Sequence, residues 1–476
     1  MTDGPAPAQG APHPPQGASL DGLHHRAWVP VDIASLAMFR IMYGALMLLA
    51  TLRFLANGWV ERFFVQPTFT FKYWGFGWVE LLSPPLMHAA FAVMALAAFA
   101  VMVGLFYRVA MVTFVVVFTY VELLDVTNYL NHYVLVSLLG FLMCFLPMNR
   151  AWSLDVRWGL ASKRETVPAW MVWLLRFQVA MVYIYAGLAK TGTDWLIHAQ
   201  PMNIWMTARV DTPIIGPWLQ LWPVALAMSW AGFLYDSTIV GFLLWRRTRA
   251  LAYVAVIGFH TMTGMLFTIG MFPVIMITVT PIFFDPDWPR RILPKSWIAA
   301  LEPPGRTTVW RTTPMQKRGI MAAIALYAAL QLLIPARWLV YPGNVLWHEQ
   351  GMRWSWKVML REKNGSVTYR VRLPGRARDR YVYPSRYLTP HQEREMSGQP
   401  DMILRLGHHI GQQYRAKGHE GVEVRVDALA SLNGRPPQPL IDPDVDLMTV
   451  QDGIWPASWI TAAPQTPPIR LEGGQH

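Results

Sequence analysis

Nine apolar runs of about 15 to 23 residues recur between Ile33 and Arg337, and they leave this chain one broad way to fold. A bilayer core about 30 Å thick takes roughly 20 helical residues to cross, and a helix satisfies its own backbone where no water can. The runs lie at 33–55, 86–106, 109–125, 130–147, 169–190, 223–245, 250–268, 270–284 and 318–337. With 53% hydrophobic and only 15% charged residues, the chain belongs with lipid-embedded proteins rather than soluble cores. The expected fold is a polytopic α-helical membrane protein with about nine transmembrane helices and a small C-terminal α+β extracytoplasmic domain.

Charge between the runs sets the orientation. With the N-terminus in the cytoplasm, Arg150, Arg157, Lys163, Arg164, Arg246, Arg247, Arg249, Arg290 and Arg291 all fall in inside loops. The outside loops hold only Arg62, Lys72 and Arg209, with Lys190 at the edge. Insertion favours this asymmetry, so the net charge of +12 reflects topology and argues against nucleic acid as a partner. Nine crossings then leave the segment after Arg337 outside, in the periplasm and on the inner membrane if the cell is bacterial.

Three regions are expected: a disordered tail at 1–28, a transmembrane domain at 29–338 and an extracytoplasmic domain at 339–476. The tail is rich in Pro, Ala, Gly and Gln and lacks the charged and apolar regions of a signal peptide. In the last region, Lys363-Asn364-Gly365 reads as a hairpin turn feeding a strand through Val367, Tyr369, Val371 and Leu373. Thr389-Pro390 opens a helix, a second helix covers about 400–416, and Val422, Val424 and Val426 alternate as a strand.

Polar residues inside or beside the apolar runs are the candidates for chemistry, because such groups are costly at membrane depth. Asn131 and His132 open the fourth run, Lys190 closes the fifth, Asp236 lies within the sixth, and His260 and Thr263 lie in the seventh. Two readings are open for Lys190: a cation snorkelling from a helix C-terminus, or an amine desolvated enough to act as a base. Asn131-His132 and His260 can equally be helix-contact residues, and Asp236 can be protonated and structural or can orient Arg176 or another basic group. His408 and His409 are adjacent on a helix and diverge by about 100°, so no metal is assigned to them. The single cysteine, Cys144, excludes an internal disulfide and reads as a small buried hydrophobe.

Several stretches resemble the vitamin K-dependent gamma-carboxylase family, in order and with matching spacing over about residues 30–460. They are Phe177 to Trp195, with Gln178, Tyr183, Ala186-Gly187, Lys190 and Asp194-Trp195; Asn131-His132; and Trp152-Ser153-Leu154-Asp155. Others are Phe259-His260 through Phe272, Phe283 through Trp288-Pro289-Arg290, Gly351 with Ser355-Trp356 and Met359, and Asp442-Pro443 with Val445-Asp446. The resemblance implies an enzyme of the carbon-carbon lyase class that uses vitamin K hydroquinone, O2 and CO2 as co-substrates. It would couple quinone epoxidation to carboxylation of glutamate. Lys190 would be the base toward the hydroquinone, and His132, with Asn131 beside it, would serve carbanion formation.

The same resemblance implies quinone and glutamate contacts at Trp354, Ser355, Trp356 and Met359, with Arg361, His260, Thr263 and Asp236 lining the site. Implied partners are membrane lipid, a glutamate-containing protein or peptide, and an epoxide-recycling reductase. Thr263 stands where animal members carry Asn, and Lys357 and Arg361 replace an acid and a histidine, which predicts a more cationic acceptor pocket. Alternatives are a quinone epoxidase serving another acceptor and a non-catalytic membrane protein that binds lipid or peptide.

Overall fold

A computed structural model describes residues 20–302 and 307–471. The N-terminal tail expectation falls mostly on residues outside that range, although Leu20–Ala27 form a short helix where disorder was expected.

The apolar runs fold into a helix bundle: α1 Ala34–Ala56, α2 Pro84–Val103, α3 Tyr107–Leu123, α4 Asn131–Phe145, α5 Trp170–Ala189, α6 Trp222–Leu244, α7 Arg249–Leu266, α8 Phe272–Val279 and α9 Pro314–Ala336. Five of these segments, α1, α2, α5, α6 and the stretch Pro314–Val340, are long and apolar enough to cross a membrane. The protein is thus a polytopic helical membrane protein. The expected runs 109–125, 130–147, 250–268 and 270–284 also carry helices, but shorter or less apolar ones. Local chemistry sets their ends. Asp125 leaves α3 in an extended conformation and accepts from the Thr127 N–H at 2.9 Å, while Leu146, which precedes a proline, leaves α4 extended.

Buried polar side chains fix the bundle's turns. Arg40, fully buried in α1, donates to the carbonyls of Val101 and Met102 at the end of α2, at 2.8 and 2.6 Å, and to those of Met148 and Trp152. A cation thereby satisfies carbonyls that the end of α2 leaves open. Gly104 makes this possible: a Cβ there would lie 2.6 Å from the Arg40 guanidinium. Asp155 accepts from the N–H groups of Phe106 and Tyr107 at 2.7 and 3.1 Å and so caps the start of α3. A short antiparallel pair, β1 Pro30–Asp32 with β2 Thr166–Pro168, ties the entry to α1 to the loop before α5.

The C-terminal part is α+β. Strands β3 Lys363–Arg372, β4 Arg380–Val382, β5 Glu423–Leu432 and β6 Gln438–Pro439 form an antiparallel sheet in the order β4-β3-β5-β6. Tyr369 pairs with Val426 and Val371 with Val424, and their side chains share a core with Leu404, Leu406 and Ile410. Lys363, Asn364 and Gly365 are part of β3, not a turn before it. Gly365 is there for clearance, since a Cβ would meet the Ser397 carbonyl oxygen at 2.3 Å. Thr389 caps α10 Pro390–Met396 through a reciprocal bond with Gln392, and α11 Pro400–Ala416 follows.

Candidate active site

Lys190 is the residue at which α5 stops, and a close helix contact decides what it meets. A Cβ on Gly187 would come within 2.8 Å of Ser237 Oγ and 3.0 Å of its backbone nitrogen, so α5 and α6 touch at a position only glycine can occupy. This approach brings Lys190 Nζ to 2.8 Å from Asp236 Oδ2, with the Ala186 carbonyl at 3.3 Å. Both side chains are below 10% exposed, so Lys190 does not snorkel to water. Trp195 lies beside the ammonium, 5.3 Å from ring centre to Nζ, and is held by its indole N–H on the Ser229 carbonyl at 2.7 Å. Of the basic partners open to Asp236, Lys190 is the one it meets; Arg176 donates to the carbonyls of Ile282 and Phe284.

The pair faces a pocket of about 60 Å³, walled by Tyr183, Phe259, Phe267, Phe272 and Met359. His260 and Thr263 line it too, so the structure brings together Lys190, Asp236, His260, Thr263 and Met359. The Tyr183 hydroxyl and His260 Nε2 lie 3.1 Å apart, while His260 Nδ1 is buried without a partner among the described residues. The Thr263 hydroxyl donates to the His260 carbonyl within the helix. A buried ion pair with apolar walls and one open imidazole valence is an arrangement suited to moving a proton rather than to adding stability.

His132 and Asn131 lie on other cavities. His132 is buried against Tyr133 and Phe272 and lines an aromatic cavity of about 320 Å³. The turn 269–272 is the partition: Ile269 and Phe272 line the Lys190 pocket, while Gly270 and Met271 line the His132 cavity. Asn131 accepts from the Tyr129 hydroxyl at 2.9 Å, which in turn accepts from the Trp354 N–H at 2.6 Å. It lines a polar pocket of about 220 Å³ with Arg353, Lys357, Arg361, Glu349 and Gln399. Met359 borders both this pocket and that of Lys190.

The segment 349–361 that separates these spaces is conformationally strained. Glu349, Trp354, Trp356 and Met359 all have φ between 52° and 61°, in the left-handed region that side chains with a Cβ avoid. Trp354 stacks on Tyr73 and Trp356 is buried on a further cavity, while the Ser355 hydroxyl turns back onto the Met352 carbonyl. Ser355 is therefore not brought to either lysine. The cationic pocket expected from Lys357 and Arg361 is half neutralised, because Arg361 pairs with Glu349 and Arg353 with Asp401. Lys357 has no carboxylate within ion-pair distance among the described residues; it sits over the Trp338 ring at 3.7 Å, and burial lowers its ammonium to about 8.

Glu349, Asp401 and the pairing of Asp236 with Lys190 are the features sequence reasoning missed. So is the role of Asp194, whose carboxylate takes both terminal nitrogens of Arg435 at 2.7 Å and the Asn433 amide at 2.9 Å. The acid next to Trp195 thus clamps the sheet domain onto the turn that holds Lys190. The only signal for it was a carboxylate placed directly after a site turn. His408 and His409 serve structure: His408 Nε2 meets the carbonyls of Leu447 and Val450, and His409 lies against Phe69.

Comparison with known families matches residues 28–288 to the HTTM domain. Residues 316–466 match the lumenal domain of the vitamin K-dependent gamma-carboxylase. No solved structure matches the chain.

Proposed function

The chain belongs to the vitamin K-dependent gamma-carboxylase family, and from that premise we propose that it couples oxidation of reduced vitamin K to the 2,3-epoxide with carboxylation of glutamate to gamma-carboxyglutamate. The observation that carries this reading is the buried Lys190–Asp236 pair, opening on an aromatic pocket that shares Met359 with a polar pocket. Flat aromatic walls beside one proton acceptor fit a naphthoquinol ring and its hydroxyl. Reduced vitamin K, when bound, supplies the electrons for O2 and the strong base for the γ-proton.

The chain's own residues do the rest. Passing the Nζ proton to Asp236 leaves Lys190 a neutral amine, able to take a hydroxyl proton where water does not compete. The Tyr183 contact orients His260, whose Nδ1 is free to bind the ring's other oxygen. Asn131 and Lys357 hold the acceptor's carboxylate on the far side of Met359. His132, in the adjoining cavity, serves the carbon from which the proton leaves. The pairing of Arg361 with Glu349 favours a second reading for the acceptor alone: a single carboxylate, free or lipid-linked, in place of a peptide side chain.

Nine membrane crossings, a cytoplasmic N-terminus and an extracytoplasmic sheet domain fit the loop charges. Five crossings or nine, an odd number leaves the C-terminal domain opposite the N-terminus. Epoxide made at every turnover calls for a reductase that recycles it.

The test is detergent-purified protein given vitamin K hydroquinone, O2 and labelled bicarbonate, with and without a glutamate peptide. Epoxide with fixed label in the wild type, and neither in Lys190→Ala of equal folded yield, is the expected result. Epoxide without label selects the second reading. Neither product from folded wild type overturns the proposal.

A further inference from the structure

Glu122, on the last turn of α3, is a membrane-domain carboxyl that the reaction as described does not use. It accepts a hydrogen bond from Ser137 of α4. Among the described residues it is the only carboxyl that lines both the His132 cavity and a neighbouring one of about 220 Å³. That second cavity is polar where it needs to be. Gln331 of α9 borders it, buried, with a side-chain amide that bonds to no described residue. Trp356 borders it too, with a buried indole N–H that has no partner among the described residues. Unsatisfied donors around a space of this size are satisfied by water.

A shared aromatic wall stands between that cavity and a surface cleft. Tyr73 and Trp354, stacked in parallel, line both the Gln331 cavity and a cleft of about 310 Å³ in the C-terminal part. That cleft has exposed rims at Trp74 and Ile454. Other groups facing Glu122's cavities are Arg53 from α1, Tyr129 and Tyr133 around the start of α4, and His391 and Glu395 from α10. None of them forms an ion pair with Glu122 within the described residues, so its charge is free to change.

The proposed chemistry needs such a group. Quinol plus O2 gives epoxide plus H2O and releases no net proton. Replacing a C–H by C–COO⁻ with CO2 releases one proton for each CO2 fixed; it is the hydroxyl proton left on the Lys190–Asp236 pair, and it must leave a site closed to bulk water. We infer that Glu122 is the relay carboxyl for this proton once it has crossed from the Lys190 pocket past the 269–272 turn, taking it from water in the His132 cavity and passing it to water in the Gln331 cavity, which the Tyr73–Trp354 wall separates from the cleft. The inference rests on the carboxylase reading for the origin of the proton, and on geometry for the path.

The test uses the full chain carrying Glu122→Gln or Glu122→Asp. In Glu122→Gln, kcat for carboxylation falls about ten-fold, the KM for quinol is unchanged and the solvent deuterium isotope effect on kcat rises; Glu122→Asp recovers most of the rate. Wild-type rate and isotope effect in folded Glu122→Gln overturn the relay, as does an Asp variant no better than Gln. Infrared difference spectra between acidic and alkaline buffers, in H2O and D2O, read the path without turnover. The relay requires a carboxyl C=O band that Glu122→Gln removes and that shifts promptly in D2O; no such band, or one that does not exchange, overturns it. If folded wild type makes neither product, the carboxylase reading fails and takes the proton's origin with it, whereas the infrared result still decides whether Glu122 joins the two cavities.

Discussion

The pocket at Lys190 and the pocket at Lys357 share Met359 as a wall, yet they treat a buried lysine in opposite ways. Lys190 has a carboxylate at 2.8 Å, so its charge is matched inside the protein and its proton has a place to go. Lys357 has only an aromatic face, so its charge is matched by whatever enters from outside. Pairing suits a group that must give up and regain a proton, and isolation suits one that must recruit an anion.

The comparison can be broken most forcefully at Asp236. Asp236→Ala leaves an unpaired ammonium among apolar walls, at a cost of about 3–5 kcal/mol, visible as a large drop in thermal unfolding temperature in detergent. Lys190→Met in the same chain should recover much of that loss. If Asp236→Ala is no worse than Lys357→Met, the two lysines do not differ as described. Next in size, Lys190→Ala should reduce epoxide formation by about 100-fold or more, read as initial rate at saturating quinol.

Lys357→Met is expected to raise the acceptor KM by roughly ten-fold, the worth of one charge-assisted contact, with the quinol KM unmoved. The wild type adds a pH signature. Lys357 has a folded value of about 8 against 10.5 in the unfolded chain. Its charge, and with it acceptor affinity, is lost as pH rises through about 8, whereas Lys357→Met shows no such step. The same shift makes the unfolded chain bind more protons between those values, so this group's contribution to stability rises with pH there. Smallest of all, Met359→Leu keeps the shared wall's volume and should change either KM by less than about two-fold. A larger rise in both KM values would mean that the wall also positions substrate.

The apolar runs were legible because burial in lipid writes itself into composition one segment at a time. Polar candidates within them were legible for the same reason, as exceptions. Their partners were not: Asp236 lies 46 positions from Lys190, and only the contact at Gly187 says that these two helices touch there. Glu349 neutralises Arg361 from across a strained loop whose left-handed residues carry no glycine signal at Trp354, Trp356 or Met359. Gly365 looked like a turn because glycine has two uses, conformational freedom and clearance, and a sequence does not distinguish them.

The Asp194–Arg435 clamp joins residues 241 positions apart and fastens the sheet domain to the turn that holds Lys190. It makes the two halves electrostatically interdependent parts. A chimera joining this bundle to another C-terminal half must carry an arginine and an amide at the positions of Arg435 and Asn433, or leave the carboxylate beside the Lys190 turn without a counterion. Modules that look separable along the chain can therefore be exchanged only as a matched set.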